Sequence, residues 1–100
     1  MAIATIDQIC DDVKKVLPIY DDEMFDDQLY INVSGAMHKL EIEGIPNSYE
    51  YNTNAYYDYL TCLRYQVAVD MDLDVDLDKM KALYITRANT LRCSLSQESN

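Results

Sequence analysis

The stretch from Leu17 to Gly44 constrains the fold of this chain more than any other part. It contains a helix-breaking proline at Pro18, three consecutive acids at residues 21–23, and then apolar residues spaced three and four apart. Acids at a helix start stabilise the positive end of the helix dipole, and a glycine adopts the left-handed conformation at which many helices end. The pattern therefore predicts one long helix over residues 22–43, preceded by a shorter helix.

Caps and apolar spacing predict the other helices. Thr5 and Gln8 have the spacing of a capping box at the start of the first helix. Asn54 is the predicted cap of the third helix, and Asp76 or Asp78 begins the fourth. With only two glycines and two prolines, the chain has few sites for tight turns, which favours helices over short strands. The predicted helices cover residues 6–17, 22–43, 55–71 and 77–93.

The sequence therefore predicts a single, mainly α domain, a small bundle of about four helices. On the long helix Gly35 is expected to mark the close approach of another helix, since glycine lowers helix stability. Residues 94–100 are predicted to form a flexible C-terminal tail. The apolar stripe of the long helix is predicted to comprise Phe25, Leu29, Val33, Ala36, Met37 and Leu40, widened by Tyr30, Ile31 and Ile42.

The segment from Asp70 to Asp78 alternates acidic with apolar residues. This period of two predicts an extended connection or a hairpin arm before the last helix. A calcium loop beginning at Asp70 or Asp72 would need a glycine at its sixth position and a glutamate at its twelfth, and neither frame supplies them. We therefore do not expect calcium to bind here.

Residues that commonly carry chemistry do not form a site in this sequence. His38 is the only histidine, and the cysteines lie far apart, at Cys10, Cys62 and Cys93. No zinc-binding spacing is present, and the cysteines are interpreted as reduced thiols packed among apolar side chains of a protein made in the cytoplasm. We predict no enzyme activity, no catalytic residue, no metal and no cofactor. No apolar run approaches the length of a membrane span, and the N-terminus does not have the pattern of a secretory signal.

Charge is distributed unevenly over the chain. The net charge is −10, and residues 1–78 hold 17 acids against four bases, whereas residues 79–100 hold four bases and one acid. An acidic body repels phosphates, so we expect no general binding of nucleic acid. The protein is instead expected to lie beside DNA without adhering to it, or to resemble DNA to a basic partner.

Tyrosine is unusually frequent, with nine copies against one phenylalanine and no tryptophan. Five lie between Tyr49 and Tyr59, and tyrosine is enriched at protein interfaces. The alternative is that Tyr56 and Tyr59 face the core while the others wrap around it. The predicted interface residues in this segment are Tyr49, Tyr51, Tyr56 and Tyr57. On the basic last helix they are Arg87, Leu91, Arg92 and Leu95.

The order of these elements resembles that of the head–tail connector proteins of long-tailed bacteriophages, also called adaptor or head-completion proteins. The resemblance covers about residues 5–70 and rests on the short first helix, the acidic start at residues 21–23, the long helix ending at Gly44, and the helix that follows. It implies a virion protein of the neck, assembled in the host cytoplasm, and no catalysis. It further implies a homo-oligomeric ring, commonly of twelve copies, that contacts the portal and the next neck or tail-completion protein while DNA passes without specific binding.

In such a ring, negative side chains beside the channel would repel DNA and let it slide. The candidates for this role are Asp26, Asp27, Asp70, Asp72 and Asp74. Two other classes of function stay open from the sequence. One is an acidic DNA mimic that inhibits a nuclease, of the anti-restriction or anti-CRISPR type, and the other is a small helical regulatory adaptor that binds one partner helix.

Overall fold

The computed structural model of this chain describes residues 2–17 and 23–98, with the side chains of residues 2–17 and 27–93. The prediction of a mainly α bundle of about four helices is confirmed. The described residues form no strand, and one isolated antiparallel bridge joins Ile3 to Glu50. The helices are α1 Ile6–Val16, α2 Glu23–Ile42, α3 Asn54–Asp70 and α4 Leu77–Glu98.

Three helix ends follow the predicted local chemistry. In the capping box of α1, the Thr5 N–H donates to Gln8 Oε1 at 2.9 Å and the Gln8 N–H donates to Thr5 Oγ1 at 3.2 Å. At the start of α4, the Lys79 N–H donates to Asp76 Oδ1 at 3.1 Å. Gly44, just after α2, has a φ of +89°, which a residue with a Cβ rarely adopts. These ends are set by residues close to one another in the chain.

The predicted cap of α3 is wrong by one residue. Thr53, not Asn54, precedes the helix, and its hydroxyl oxygen accepts a hydrogen bond from the Tyr56 N–H at 3.3 Å. The same hydroxyl donates to the Glu50 carbonyl at 2.8 Å, which fixes Thr53 in the loop before the helix. Both residue types can cap a helix, so this loop contact decides between them. The predicted acidic cap of α2, at residues 21 and 22, lies outside the described residues.

Helix α3 is the centre of the bundle. It packs against α1, α2 and α4, and α1 also packs against α2. Its buried residues occupy most of its circumference rather than one stripe, because three helices surround it. Among the side chains that the structure describes, the large ones that are fully buried are Tyr56, Tyr59, Ile9, Leu29, Leu40, Ile45, Leu63, Val13, Val33, Val67 and Cys62.

The apolar stripe of α2 is narrower than predicted. Leu29, Val33, Ala36 and Leu40 are buried, which agrees with the predicted stripe, and Phe25 lies outside the residues whose side chains are described. The predicted widening is wrong: Tyr30 is 48%, Ile31 68% and Ile42 72% exposed. The four buried residues and the partly buried Met37 form the contact with the rest of the bundle. Ile31 and Ile42 project together from the opposite side of the helix, and Tyr30 projects from a flank.

The close approach of another helix that was predicted at Gly35 is not found in the described part of the chain. Gly35 is exposed, and a Cβ added there would meet nothing within 4 Å. The glycine therefore lowers the stability of α2, and no helix in the described part of the chain packs closely on it in return.

The acidic connection before α4 is compact, so the predicted extended or hairpin arm is not found. Residues 71–76 form turns, the Leu73 N–H donates to the Ala68 carbonyl at 3.0 Å, and Asp72 adopts a φ of +52°. Leu73 and Val75 are partly buried against the core. The alternating pattern arises because the apolar residues of a short connection turn inward and the acids face water.

Charged side chains occur along both of the longest helices, α2 of 20 residues and α4 of 22. Within the described ranges, none of the helices combines the length and apolar character that crossing a membrane requires.

Candidate binding groove

An open groove follows α3 between α1 and α4. Both helices pack on α3, but in the described part of the chain they make no helix–helix contact with each other. Two hollows that share Val16 and Arg64 lie along this groove: one of about 170 Å³ is lined by α1 and α3, and one of about 210 Å³ also reaches α4. We call this feature the α1/α4 groove. Its floor comprises Tyr57, Leu60 and Thr61, and its α4 side comprises Asp76, Lys79, Met80 and Leu83.

Apolar side chains line most of this groove. Val16, Tyr57 and Leu83 are each more than a third exposed, although each belongs to a helix with an apolar face. Leu60 and Met80 lie deeper and are almost fully buried. A concave surface with exposed apolar walls suits the binding of an apolar segment, since association removes that surface from water.

Arg64 is the one strongly basic group on the groove floor. Its side chain is half-buried, and its Nε atom is buried without a hydrogen-bond partner. No carboxylate of the described residues forms a salt bridge with it. A desolvated guanidinium nitrogen without an acceptor costs free energy, so a carboxylate that entered the groove would gain a charge-assisted hydrogen bond.

Most other bases of the chain already have acidic partners. The salt bridges of the described residues join Lys15 to Asp12 at 3.7 Å, Lys39 to Asp70 at 2.9 Å, Arg87 to Asp58 at 3.4 Å and Arg92 to Glu43 at 3.7 Å. Arg64, Lys79 and Lys81 are not in this set, and the first two line the α1/α4 groove. The groove therefore holds two bases, Arg64 and Lys79, against one acid, Asp76, in a chain of net charge −10.

The predicted tyrosine interface divides into buried and exposed members. Tyr56 is fully buried and donates from its hydroxyl to Asp12 Oδ2 at 2.5 Å, so it belongs to the core and not to an exposed interface. Tyr49 is half-buried, and its ring stacks on Tyr59 with centroids 4.7 Å apart. Tyr51 and Tyr57 remain exposed, and the Tyr57 hydroxyl donates to Asn52 Oδ1. Only Tyr57 lines the groove.

Three of the four predicted interface residues on α4 make contacts within the bundle. Leu91 is 4% exposed and lies in the core, so it is not available to a partner. Arg87 pairs with Asp58 of α3, and Arg92 Nε donates to the carbonyl of Glu43 at 3.0 Å. The side chain of Leu95 lies outside those described. These arginines keep solvent-exposed surface, but their described contacts join α4 to α3 and to the end of α2.

The predicted channel-facing acids whose side chains are described differ in exposure and in partners. Asp70 accepts hydrogen bonds from Lys39 Nζ at 2.9 Å and from Gln66 Nε2 at 3.0 Å, so its charge is balanced within the bundle. Asp72 and Asp74 are exposed in the turn before α4, and Asp27 is exposed on α2. The side chain of Asp26 lies outside those described.

The cysteines and His38 differ in their exposure to solvent. Cys62 is fully buried, and burial raises the pKa of its thiol to about 12, so the thiol stays protonated at neutral pH and is a poor nucleophile. Cys10 is partly buried, whereas Cys93 and His38 are exposed, so the expectation of packed thiols is wrong for Cys93. Among the described residues, no group of three or more potential ligands is placed to hold a metal ion.

Sequence reasoning missed Arg64, Val16 and Leu83 as groove residues. One signal was present, because Arg64 stands four residues after Leu60 and four before Ala68, among apolar residues of the same helix. A base at such a position faces either an internal acid or an open surface. The choice between the two depends on helices distant in sequence.

Comparison of the chain with protein-family models, with curated proteins and with solved structures finds no match.

Proposed function

We propose that this chain is a structural assembly subunit, namely a head–tail connector that forms a ring of about twelve copies between the portal and the tail of a long-tailed phage. In this role it binds neighbouring proteins and catalyses no reaction. DNA passes beside its acidic surface without specific binding, and the subunit assembles in the host cytoplasm before it becomes part of the virion neck.

The α1/α4 groove carries this proposal. It offers apolar walls and the Arg64 Nε atom, which has no hydrogen-bond partner among the described residues, to a neighbouring protein, as an assembly contact requires. The order of the helices supports the proposal as well, because α1, α2 and α3 occupy the stretches on which the resemblance to connectors rests. Exposed acids at Asp72 and Asp74 suit a surface beside DNA, since they repel phosphates.

Reconstruction of the neck of a virion that contains this chain tests the proposal. We expect density for the four-helix bundle in a ring around the DNA axis, in contact with the portal. Absence of the chain from the neck, or its presence without rotational repetition, would refute the connector function. A truncation after Leu83 tests the docking role of α4: particles that still retain DNA and join tails would exclude that role.

The groove also favours a second function, that of a small adaptor that binds one helix of one partner. The two hollows share Val16 and Arg64, and apolar side chains line most of both, which suits an amphipathic helix. Such an adaptor would form a 1:1 complex and would have no affinity for portal rings. Sedimentation of the protein with purified portal therefore separates the two functions, because only a connector is expected to bind in multiple copies.

A further inference from the structure

The side of α2 that faces away from the bundle carries a second unusual surface. Ile31 and Ile42 are the most exposed large apolar side chains among the described residues, at 68% and 72%. Their spacing places them on one side of the helix together with Asp27, Gly35 and His38, all of which are exposed. We call these five residues the α2 ridge.

Gly35 gives the α2 ridge a low point between two apolar side chains. Nothing lies within 4 Å of a Cβ placed there, so the fold of the single chain does not require a glycine. A surface without a Cβ lets another protein approach the helix backbone closely, and Ile31 and Ile42 flank that position along the helix. The shape of the ridge therefore suits packing against another protein surface.

The ridge and the groove complement each other in charge and in polarity. The ridge presents the carboxylate of Asp27 one turn before Ile31. The groove presents two bases, Arg64 and Lys79, against the single acid Asp76, beside apolar walls. The ridge lies on α2, which packs on α1 and α3, whereas the groove lies between α1 and α4. One copy can therefore use both surfaces at the same time.

We propose that a second copy of this chain inserts its α2 ridge into the α1/α4 groove. Asp27 of one copy pairs with Arg64 and Lys79 of the next, and Ile31 packs between the walls formed by Val16 and Leu83. The contact joins two different surfaces, so it repeats head to tail and closes into a ring when the rotation per copy permits. This inference rests on the proposed function only in that both require copies of the chain to associate.

Complementation between two kinds of variant tests this contact. Ile31→Asp disables the ridge and keeps the groove, whereas Lys79→Glu and Arg64→Glu disable the groove and keep the ridge. Ile85→Asp is the matched control, because Ile85 is also an exposed isoleucine and does not line the groove. Lys79 is exposed, so Lys79→Glu preserves the fold even if the half-buried Arg64 does not tolerate the change.

Association is measured by sedimentation at protein concentrations up to about 1 mM, where weak contacts are populated, and at physiological salt, which screens the repulsion between acidic copies. We expect the wild-type chain and Ile85→Asp to self-associate. Each ridge or groove variant alone should raise the dissociation constant by about tenfold or more. A mixture of Ile31→Asp with Lys79→Glu should form a pair of one copy each, with affinity close to wild type, and should grow no further.

Three results would overturn the inference. The first is a wild-type chain that stays monomeric over the whole concentration range. The second is association lost in Ile31→Asp but kept in both groove variants, which would indicate that two ridges pack on each other. The third is an equal effect of Ile85→Asp. None of these results bears on the connector function, which the neck reconstruction tests. A chain that associates as expected but is absent from the neck would refute the connector function and not this inference.

Discussion

Tyr56 and Tyr59 provide a matched test of how α3 is held in the bundle. Both are fully buried and lie one turn apart on the same helix. The Tyr56 hydroxyl donates to Asp12 Oδ2 of α1 at 2.5 Å, whereas the Tyr59 hydroxyl is buried without a hydrogen-bond partner. We expect Tyr56→Phe to lower the free energy of unfolding, and Tyr59→Phe to leave it unchanged or to raise it.

The expected magnitudes follow from these partners. A hydrogen bond to a charged acceptor contributes about 1.5–3 kcal/mol. The Asp12 side chain is only 15% exposed, and its remaining described partner is Lys15 at 3.7 Å, so water replaces the lost donor poorly. Tyr56→Phe should therefore cost about 1.5–3 kcal/mol. Tyr59→Phe removes a desolvated hydroxyl that makes no bond, and the expected effect lies between zero and a gain of about 1 kcal/mol.

Urea unfolding followed by far-UV circular dichroism measures both values, provided that the slope with denaturant is the same in each variant. A double-mutant cycle with Asp12→Asn isolates the contribution of the Tyr56–Asp12 pair. The reasoning is refuted if the two substitutions change stability equally, to within about 0.5 kcal/mol, or if Tyr59→Phe is the more costly. Either result would mean that packing of the rings, and not the hydrogen bond, sets the cost.

Further predictions concern the core, the two glycines and alkaline pH. Leu29→Ala, at a fully buried site, should lower the free energy of unfolding in urea by about 2–5 kcal/mol. Ile31→Ala, at an exposed site of the same helix, should lower it by less than about 0.5 kcal/mol. Similar losses in the two variants would contradict the assigned apolar stripe of α2. Gly35→Ala should stabilise the fold by about 0.5–1 kcal/mol. Gly44→Ala should destabilise it by about 1–2 kcal/mol, because Gly44 has a left-handed backbone conformation. Thermal unfolding checks this pair, since the melting temperature should rise in the first variant and fall in the second. Burial raises the pKa of the Cys62 thiol to about 12, above its value in the unfolded chain. The stability that the buried neutral thiol gives the fold is therefore complete below about pH 8.5 and is lost as the pH rises to about 12. Stability profiles of the wild type and Cys62→Ala should therefore converge with rising pH, and parallel profiles would contradict the assigned burial.

Local signals determined much of the fold. The capping box at Thr5, the acid at Asp76 and the glycine at Gly44 each act through neighbouring residues, so the ends they mark were predictable. The cap of α3 was not, because Thr53 and Asn54 are both competent. The bond from Thr53 to the carbonyl of Glu50 chooses between them, and it depends on the path of the loop.

The spacing of apolar residues gave wrong predictions for the acidic connection and for the width of the apolar stripe on α2. Alternating acids and apolar residues have the same pattern in a strand and in a short connection whose apolar side chains turn toward a core. Likewise, spacing shows that Ile31 and Ile42 lie on a helix, but not how wide a face the neighbouring helices cover. Their high exposure follows from the arrangement of α1 and α3 around α2.

The sequence by itself determined four helices, an acidic body and the absence of a recognisable catalytic or metal-binding motif. The tertiary structure alone decided which surfaces stay open. The gap between α1 and α4 exists because both pack on α3 without meeting, and the position of Arg64 in that gap follows from the contacts of three helices. Such contacts join residues far apart in the chain, where neither propensity nor spacing carries information.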